Sequence, residues 1–364
     1  MSHVQTTKPI LDRLAELRDG AILPLDESPE LAKSWHRWSQ SEIDALRLAY
    51  AAGRPLLVRG EPGTGKTQLA RAAAKWLGWH LHAETIHPRF EPHELRYRFD
   101  AVRRLADAQA GEKNLDAHSP RYWKAGVLWK AYGWASAQAY LHRSEKSLVP
   151  LDQEVSEPAQ PAGHVVLIDE IDKADSDLPN SLLEVLAQRS FHVEPLADET
   201  IGGPGVQAPL IVITTNEERD LPAAFLRRCV VLTLAAEKDN YVPWLVERGS
   251  AHFGSEKDVR TEAIIDQSIL LEAAKQLERD RNEIGRLELS KPGLAEYLDL
   301  LYALHALFGD EPDAVKRTEL QRTWLTRLSA YGYLKHSVED TTSKAHQPTE
   351  AKARRLASEG QEKP

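Results

Sequence analysis

Gly60-Glu61-Pro62-Gly63-Thr64-Gly65-Lys66-Thr67 is the stretch on which the reading of this chain turns, because it satisfies the G-x-x-x-x-G-K-[ST] phosphate-loop pattern. Its flanks give the pattern a context in which it works. Pro55-Leu56-Leu57-Val58 before it reads as a buried strand, and Thr67 to Leu77 after it is rich in strong helix formers. A loop between strand and helix offers free backbone N–H groups and the positive end of the helix dipole to an anion. The glycines let the backbone curl through φ/ψ regions that a Cβ forbids. Gly60, Glu61, Pro62, Gly63, Thr64, Gly65, Lys66, Thr67 and Gln68 are therefore the candidate phosphate contacts. Within them Lys66 is placed toward the β and γ phosphates and the Thr67 hydroxyl on Mg²⁺.

Two further apolar runs end in residues suited to the same chemistry. Val165-Val166-Leu167-Ile168-Asp169-Glu170 has the continuous hydrophobicity of a strand buried on both faces of a parallel sheet. Behind a phosphate loop, Asp169 is suited to hold the water shell of Mg²⁺, and Glu170 to orient and deprotonate a water for in-line attack. Leu210-Ile211-Val212-Ile213-Thr214 leads into Thr215-Asn216, where the Asn amide is placed to bond both γ-phosphate and water, although an Asn here reads equally as a turn former. Asp220-Leu221-Pro222-Ala223-Ala224-Phe225-Leu226-Arg227-Arg228-Cys229 then sets paired arginines before the run Val230 to Leu234. A guanidinium is permanently charged and planar, and supplied from a second subunit it stabilises developing phosphoryl charge.

The 364 residues are enough for two or three domains, and 42% hydrophobic with 28% charged residues is an ordinary globular balance. No apolar run approaches the roughly 20 residues that span a bilayer, and the polar start lacks a signal-peptide core, so no membrane partner and a cytoplasmic location are expected. Cys229 is the only cysteine, which excludes an intrachain disulfide and a cysteine metal cluster. A net charge of −9 weakens the case for sequence-independent nucleic-acid binding, which depends on a basic surface. The densest basic group, Arg96, Arg98, Arg103 and Arg104, reads as a solvated helix face interleaved with Asp100. His80, His82, His87 and His93 read as ordinary histidines, since no carboxylate and third ligand recur at metal-site spacing.

Periodicity divides the chain. Residues 1–40 form an N-terminal arm with a short helix around Ile10 to Leu17, followed by Trp35 and Trp38. Residues 41–236 alternate strands and helices, the signature of a doubly wound parallel α/β sheet. The expected elements here are a Ser41-capped helix to Ala52, a strand over 79–86, helices over 94–110 and 126–142, a loop from Ser144 to Gly163, and a helix over 178–189. Residues 237–336 read as a small all-α domain with helices over 264–282, 291–308 and 318–334. Residues 337–364 are polar without periodicity and are expected to be disordered.

Gly60 to Thr67, Asp169-Glu170, Asn216 and Leu221 to Arg228 occur in an order that resembles the AAA+ ATPases, and Leu221 to Arg228 resembles the MoxR-like branch in particular. The likeness spans roughly residues 40–310. It implies a P-loop NTPase core with a helical lid, and a homo-oligomeric ring, usually a hexamer, with ATP and Mg²⁺ between subunits. Lys66, Thr67, Asp169, Glu170 and Asn216 would act in cis, and Arg228 from the neighbour, supported by Arg227. It further implies ATP hydrolysis coupled to remodelling of a protein partner, with Phe90 in a substrate-facing turn and Arg286 or Lys291 as a second sensing cation. The alternatives are a nucleic-acid-translocating or restriction-associated motor of the dynein-related group, with Arg96 to Arg104 lining a channel, and a slow ATP-dependent assembly switch. The segment Tyr122 to Tyr132 resembles an element of some MoxR-like ATPases, and its aromatics read as core.

Overall fold

Alternation of side chains along three apolar strands decides both faces of the central sheet. In β3 (Leu56–Arg59), Leu56 and Val58 point to one side and Leu57 to the other; in β7 (His164–Asp169), Val165 and Leu167 oppose Val166 and Ile168; in β10 (Leu210–Thr215), Leu210 and Val212 oppose Ile211 and Ile213. Both sets are buried, so the sheet carries helices on each face. With β4 (His80–Thr85) and β11 (Val230–Thr233) the order is β11-β3-β10-β7-β4, every pair parallel. This is the doubly wound α/β architecture of P-loop NTPases.

The computed structural model describes residues 2–27, 33–112, 115–116, 119–145, 160–193, 199–235, 240–254, 264–285 and 291–332. It divides into two compact units, 1–61 with 65–235, and 62–64 with 236–364. The 286–290 segment with Arg286, the residues from 333 onward, and most of the expected loop between Ser144 and Gly163 lie outside the described residues.

In the first unit, one layer holds α1 (Ser2–Ala15), α2 (Gln40–Ala52) and α3 (Lys66–Leu77), whose Leu14, Ile43, Leu46 and Leu69 pack on the first strand set. The hairpin β1 (Ile22–Leu25) and β2 (Ser34–Arg37) belongs to this layer through Leu25, and Trp38 follows it into the core. The residue that caps α2 is Ser39 rather than Ser41. Glu42 stands three residues after Ser39 and completes a capping box, its Oε2 accepting from Ser39 N at 2.7 Å, and Gly53 ends the helix at φ 61°.

The opposite layer departs from the expected helices in two places. Only residues 101–109 of the 94–110 stretch are α-helix (α4, Ala101–Gln109), because β5 (Tyr97–Phe99) pairs antiparallel with β6 (Trp123–Ala125) and Asp100 then caps α4. Aromatic pairs favour that strand: Tyr97 and Phe99 lie 5.5 and 4.8 Å from the Trp123 ring. The 126–142 stretch is split at Gly133 into α5 (Val127–Tyr132) and α6 (Trp134–Glu145), and a Cβ at Gly133 would collide with Ile201. Tyr122, Trp129 and Tyr132 are buried, as a core reading requires. Also in this layer are α7 (Asp177–Gln188), the hairpin β8 (Ser190–Val193) and β9 (Glu199–Gly202), which periodicity did not reveal, and the short α8 (Ala223–Leu226).

Helix α4 overturns the solvated basic face. Its outward residues are Ala101, Val102, Leu105 and Ala106, with Val102 79% exposed, whereas Arg103, Arg104 and Asp107 are half-buried. Asp107 pairs with Arg121 at 3.1 Å and Arg104 Nε donates to Leu115 O. Arg98 is held by Glu84 and Glu94. Phe90 is likewise corrected from a substrate contact to a core residue, 5% exposed in the layer under α7.

The described elements of the second unit beyond residue 240 are helices: α9 (Tyr241–Phe253), α10 (Gln267–Gly285), α11 (Leu294–Phe308) and α12 (Ala314–Gly332) pack around Leu245, Ile269, Leu277, Tyr297 and Leu301. Among the described residues no helix is long and apolar enough to cross a membrane.

Candidate functional site

Parallel strands deliver all their C-terminal ends to one edge of the sheet, and β3, β7 and β10 lead there into the three stretches singled out in the sequence. The phosphate loop follows β3. Gly60, Gly63 and Gly65 adopt φ of 151°, 77° and 96°, values that L side chains resist, and α3 opens at Lys66. The Lys66 ammonium donates to Gly60 O at 2.7 Å and Glu61 O at 2.8 Å. Burial pushes its pKa down, while Asp169, Asp172, Glu170 and Glu217 pull it back up. A lysine desolvated against its own loop carbonyls is ready to exchange those acceptors for a stronger anion.

Asp169 ends β7 and accepts from the Thr67 hydroxyl at 3.0 Å through Oδ2. Thr67 and Asp169 thus place only hard oxygen donors at the loop, the donor class that Mg²⁺ takes. The described residues hold no group of three His, Cys, Asp or Glu placed to hold a metal ion by themselves. Glu170 follows with φ 61°, left-handed for a residue that has a Cβ, at a cost on the order of 1–3 kcal/mol. Its Oε1 accepts from Asn216 Nδ2 at 3.2 Å and its Oε2 from Lys173 Nζ at 2.5 Å.

Lys66, Thr67, Asp169, Glu170 and Asn216 therefore converge. Gln68 turns away, its Oε1 accepting from Ser34 Oγ and Arg71 Nη1 on the side of the β1–β2 hairpin. Arg227 and Arg228 are both exposed and lie elsewhere, ahead of β11. Because β11 runs parallel to β3, they stand at the N-terminal edge of the sheet, separated from the loop by the length of β3, about 13 Å at ~3.3 Å per residue. Lys291 is exposed in the second unit.

Three residues of the site were not anticipated. Thr214, fully buried, donates to Asp169 Oδ1 at 2.5 Å and accepts from Glu170 N at 2.9 Å, so one hydroxyl sets the spacing of both acids. Asp172 is 2% exposed and accepts from Asn216 N at 3.4 Å and Glu218 N at 2.9 Å, tying the turn after β10 to the turn after β7. Lys173 is the third, through its bond to Glu170. The available signal was spacing: a 3₁₀ turn over Ile171–Lys173 brings the residue three after Glu170 back to its carboxylate.

Residues 55–229 match the family model of the AAA domain, dynein-related subfamily. Over this stretch the chain is similar to AAA domains, and the match supports nucleotide binding and ATPase activity at the level of the family. No curated protein matches the sequence. Among solved structures, a candidate ATPase from Cytophaga hutchinsonii aligns over 97% of this chain and 91% of its own at 15% identity and a TM-score of 0.36. A RuvB variant from Thermotoga maritima aligns over 87% of this chain and 93% of its own, also at 15% identity, with a TM-score of 0.34. These values bear on neither function nor partner.

Proposed function

We propose that the chain binds ATP with Mg²⁺ and hydrolyses it between neighbouring subunits of a homo-oligomeric ring, of six subunits in the MoxR-like manner, to remodel or activate a protein partner. The observation that carries this reading is the separation of the arginine pair from the converging groups. A guanidinium at the N-terminal edge of the sheet is badly placed for a nucleotide on its own loop and well placed to be offered to a second copy. Lys66 and the loop amides bind and orient the phosphates, Glu170 holds the attacking water and takes its proton, and Asn216 steadies Glu170. Thr67 and Asp169 would hold Mg²⁺, which when bound neutralises phosphate charge. The nucleotide-binding domain of this proposal is 41–236, with 237–336 as its lid.

A slow assembly switch is the second reading. It draws support from Glu170 itself, both of whose carboxylate oxygens are engaged by Asn216 and Lys173. A nucleic-acid motor draws less, since Arg98 and Arg104 are committed to Glu84, Glu94 and Leu115 O.

Complementation tests the shared site. Lys66→Ala and Arg228→Ala proteins should each be inactive. Mixed, they form some junctions with an intact loop from one subunit and an intact arginine from the next, and a substantial part of the ATPase should return. Mixtures as inactive as their components would sink the reading, and a parent that assembles with ATP yet barely turns over would favour the switch.

A further inference from the structure

The N-terminal edge of the sheet carries a cleft of about 240 Å³ that the nucleotide chemistry does not use. It lies wholly within the first unit, among the C-terminal ends of α2 and α7, the start of β3 and the turn from α8 into β11. Its apolar walls include Pro55, Leu183, Leu186 and the fully buried Phe225. Arg54, Arg189 and Arg228 line it together. A narrower slot adjoins it through shared residues, among them Arg54, Leu186 and Arg189, and reaches the buried Tyr50 and Tyr132. None of the described residues lining either space is acidic, in a chain whose net charge is −9.

Three features give this arrangement a ligand preference. Guanidiniums that share one small space repel one another, and an anion among them converts that repulsion into charge-assisted hydrogen bonds. Arg54 and Arg228 each spend one nitrogen on a carbonyl, Arg227 O at 3.3 Å and Ala224 O at 3.2 Å, and neither is paired with a carboxylate among the described residues. Arg189 is fixed in place by its backbone. It caps α7 at φ 54°, its N–H donates to Val185 O, and its carbonyl accepts from Gly203 N at 3.0 Å while a Cβ on Gly202 would strike that same carbonyl. A bulky residue held in the left-handed region marks a position that the surrounding structure over-determines. Burial raises the pKa of Tyr50, Tyr132 and Cys229, and the Arg189 charge opposes that rise at both tyrosines as the Arg54 charge does at the thiol.

We infer that this cleft is a binding site for a small organic anion, a carboxylate or phosphate monoester with a compact apolar body, separate from the phosphate loop. Its volume falls below the roughly 300–1,000 Å³ of sites for drug-sized ligands, so the occupant is the size of a substituted benzoate. The anionic head meets the arginines and the body lies on Leu183, Leu186 and Phe225. Arg228 belongs both to this cleft and to the proposed junction between subunits, so occupancy should slow turnover. That consequence rests on the proposed function, whereas the binding does not.

Fluorine NMR on the full chain with para-fluorobenzoate, para-fluorophenyl phosphate and the neutral para-fluorobenzamide tests the site. Both anions should bind saturably and the amide at least tenfold more weakly. The Lys66→Ala protein should keep the benzoate signal, which separates this cleft from the loop. The pair Arg54→Gln and Arg189→Asn, with Asn chosen because it tolerates a left-handed backbone, should weaken both anions tenfold or more. Ala187→Leu, at an exposed helix position lining the cleft, should do so without changing charge. No saturable binding, equal binding of the amide, loss of the benzoate signal in Lys66→Ala, or full affinity in both cleft variants would each overturn the inference.

Discussion

The two ends of one five-stranded sheet carry opposite chemistry. At the C-terminal edge a single buried lysine stands among Asp169, Asp172, Glu170 and Glu217. At the N-terminal edge Arg54, Arg189 and Arg228 line one cleft with no acidic residue among its described lining residues, and His80, His82 and His164 cluster around Trp134. The parallel sheet explains much of the division. Helix α3 begins at the C-terminal edge with its N–H groups toward an anion, whereas α2 and α7 end at the other edge, where Gly53-Arg54 and Arg189 meet helix carbonyls that favour cations. The one guanidinium that β3 itself delivers to the acidic edge, that of Arg59, is paired with Glu217 at 3.4 Å, so on the proposed function the arginine that meets the nucleotide is offered by a second copy.

The largest effect should come from the acidic edge. Glu170→Gln keeps the shape of the side chain and its contact with Asn216 but removes the base, and ATP turnover should fall roughly 100- to 10,000-fold. ATP binding should persist, with the nucleotide trapped in assembled protein. Parent-like turnover in a steady-state assay would move the chemistry away from Glu170 and dissolve the contrast between the edges.

A smaller loss is expected one layer beneath. Thr214→Val keeps the volume and deletes the hydroxyl that joins Asp169 Oδ1 to Glu170 N, leaving two groups short of a partner in a fully buried setting. The cost should be about 1–3 kcal/mol of stability, read as a lower Tm, with a turnover loss of roughly tenfold. Thr214→Ser, which restores the hydroxyl, should recover turnover ahead of Tm. If the Val protein is as active as the parent, the spacing of the two acids does not depend on this bridge.

What could be read in the sequence follows from how local its signal was. The strands of the sheet are short apolar runs, and Gly60 to Thr67 is a contiguous pattern, so both are visible without tertiary information. The helix breaks at Asp100 and Gly133 were not, because helix formers surround them and the deciding partners, Trp123 and Ile201, lie far along the chain. Thr214 closes an apolar run and reads as an ordinary β-former until Asp169 is set beside it by the pairing of β10 with β7. The basic group of residues 96–104 misled in the opposite way. Arg98 turns inward to Glu84 and Glu94 and Arg104 to Leu115 O, while the apolar Val102 and Leu105 of α4 face outward, an inversion that helical periodicity shows in phase but not in direction.

The mildest prediction concerns the histidines of the basic edge. His82 Nε2 and His164 Nδ1 lie 3.0 Å apart, one as donor and the other as acceptor, which requires at least one neutral ring. Burial, then the neighbouring His80, His164 and Lys130, lowers the His82 pKa to about 3, and burial with His80 lowers that of His164 to about 4. Both folded values lie below the model-compound value of 6.5, so the unfolded chain binds protons that the native fold refuses. The stability these rings contribute is complete above about pH 6.5 and drains as pH falls toward 4, at up to about 1.4 kcal/mol per pH unit for each ring. Carboxylates titrate in the lower part of that window, so the quantity to measure is the difference in Tm between parent and the His82→Phe, His164→Leu double variant. That difference should shift in favour of the variant as pH drops from 6.5 to 4.5, while ATP turnover at neutral pH stays level. A constant difference across the window would mean that these rings take up protons in the fold as readily as in the unfolded chain, and the basic edge would then gain charges that the geometry of the pair denies.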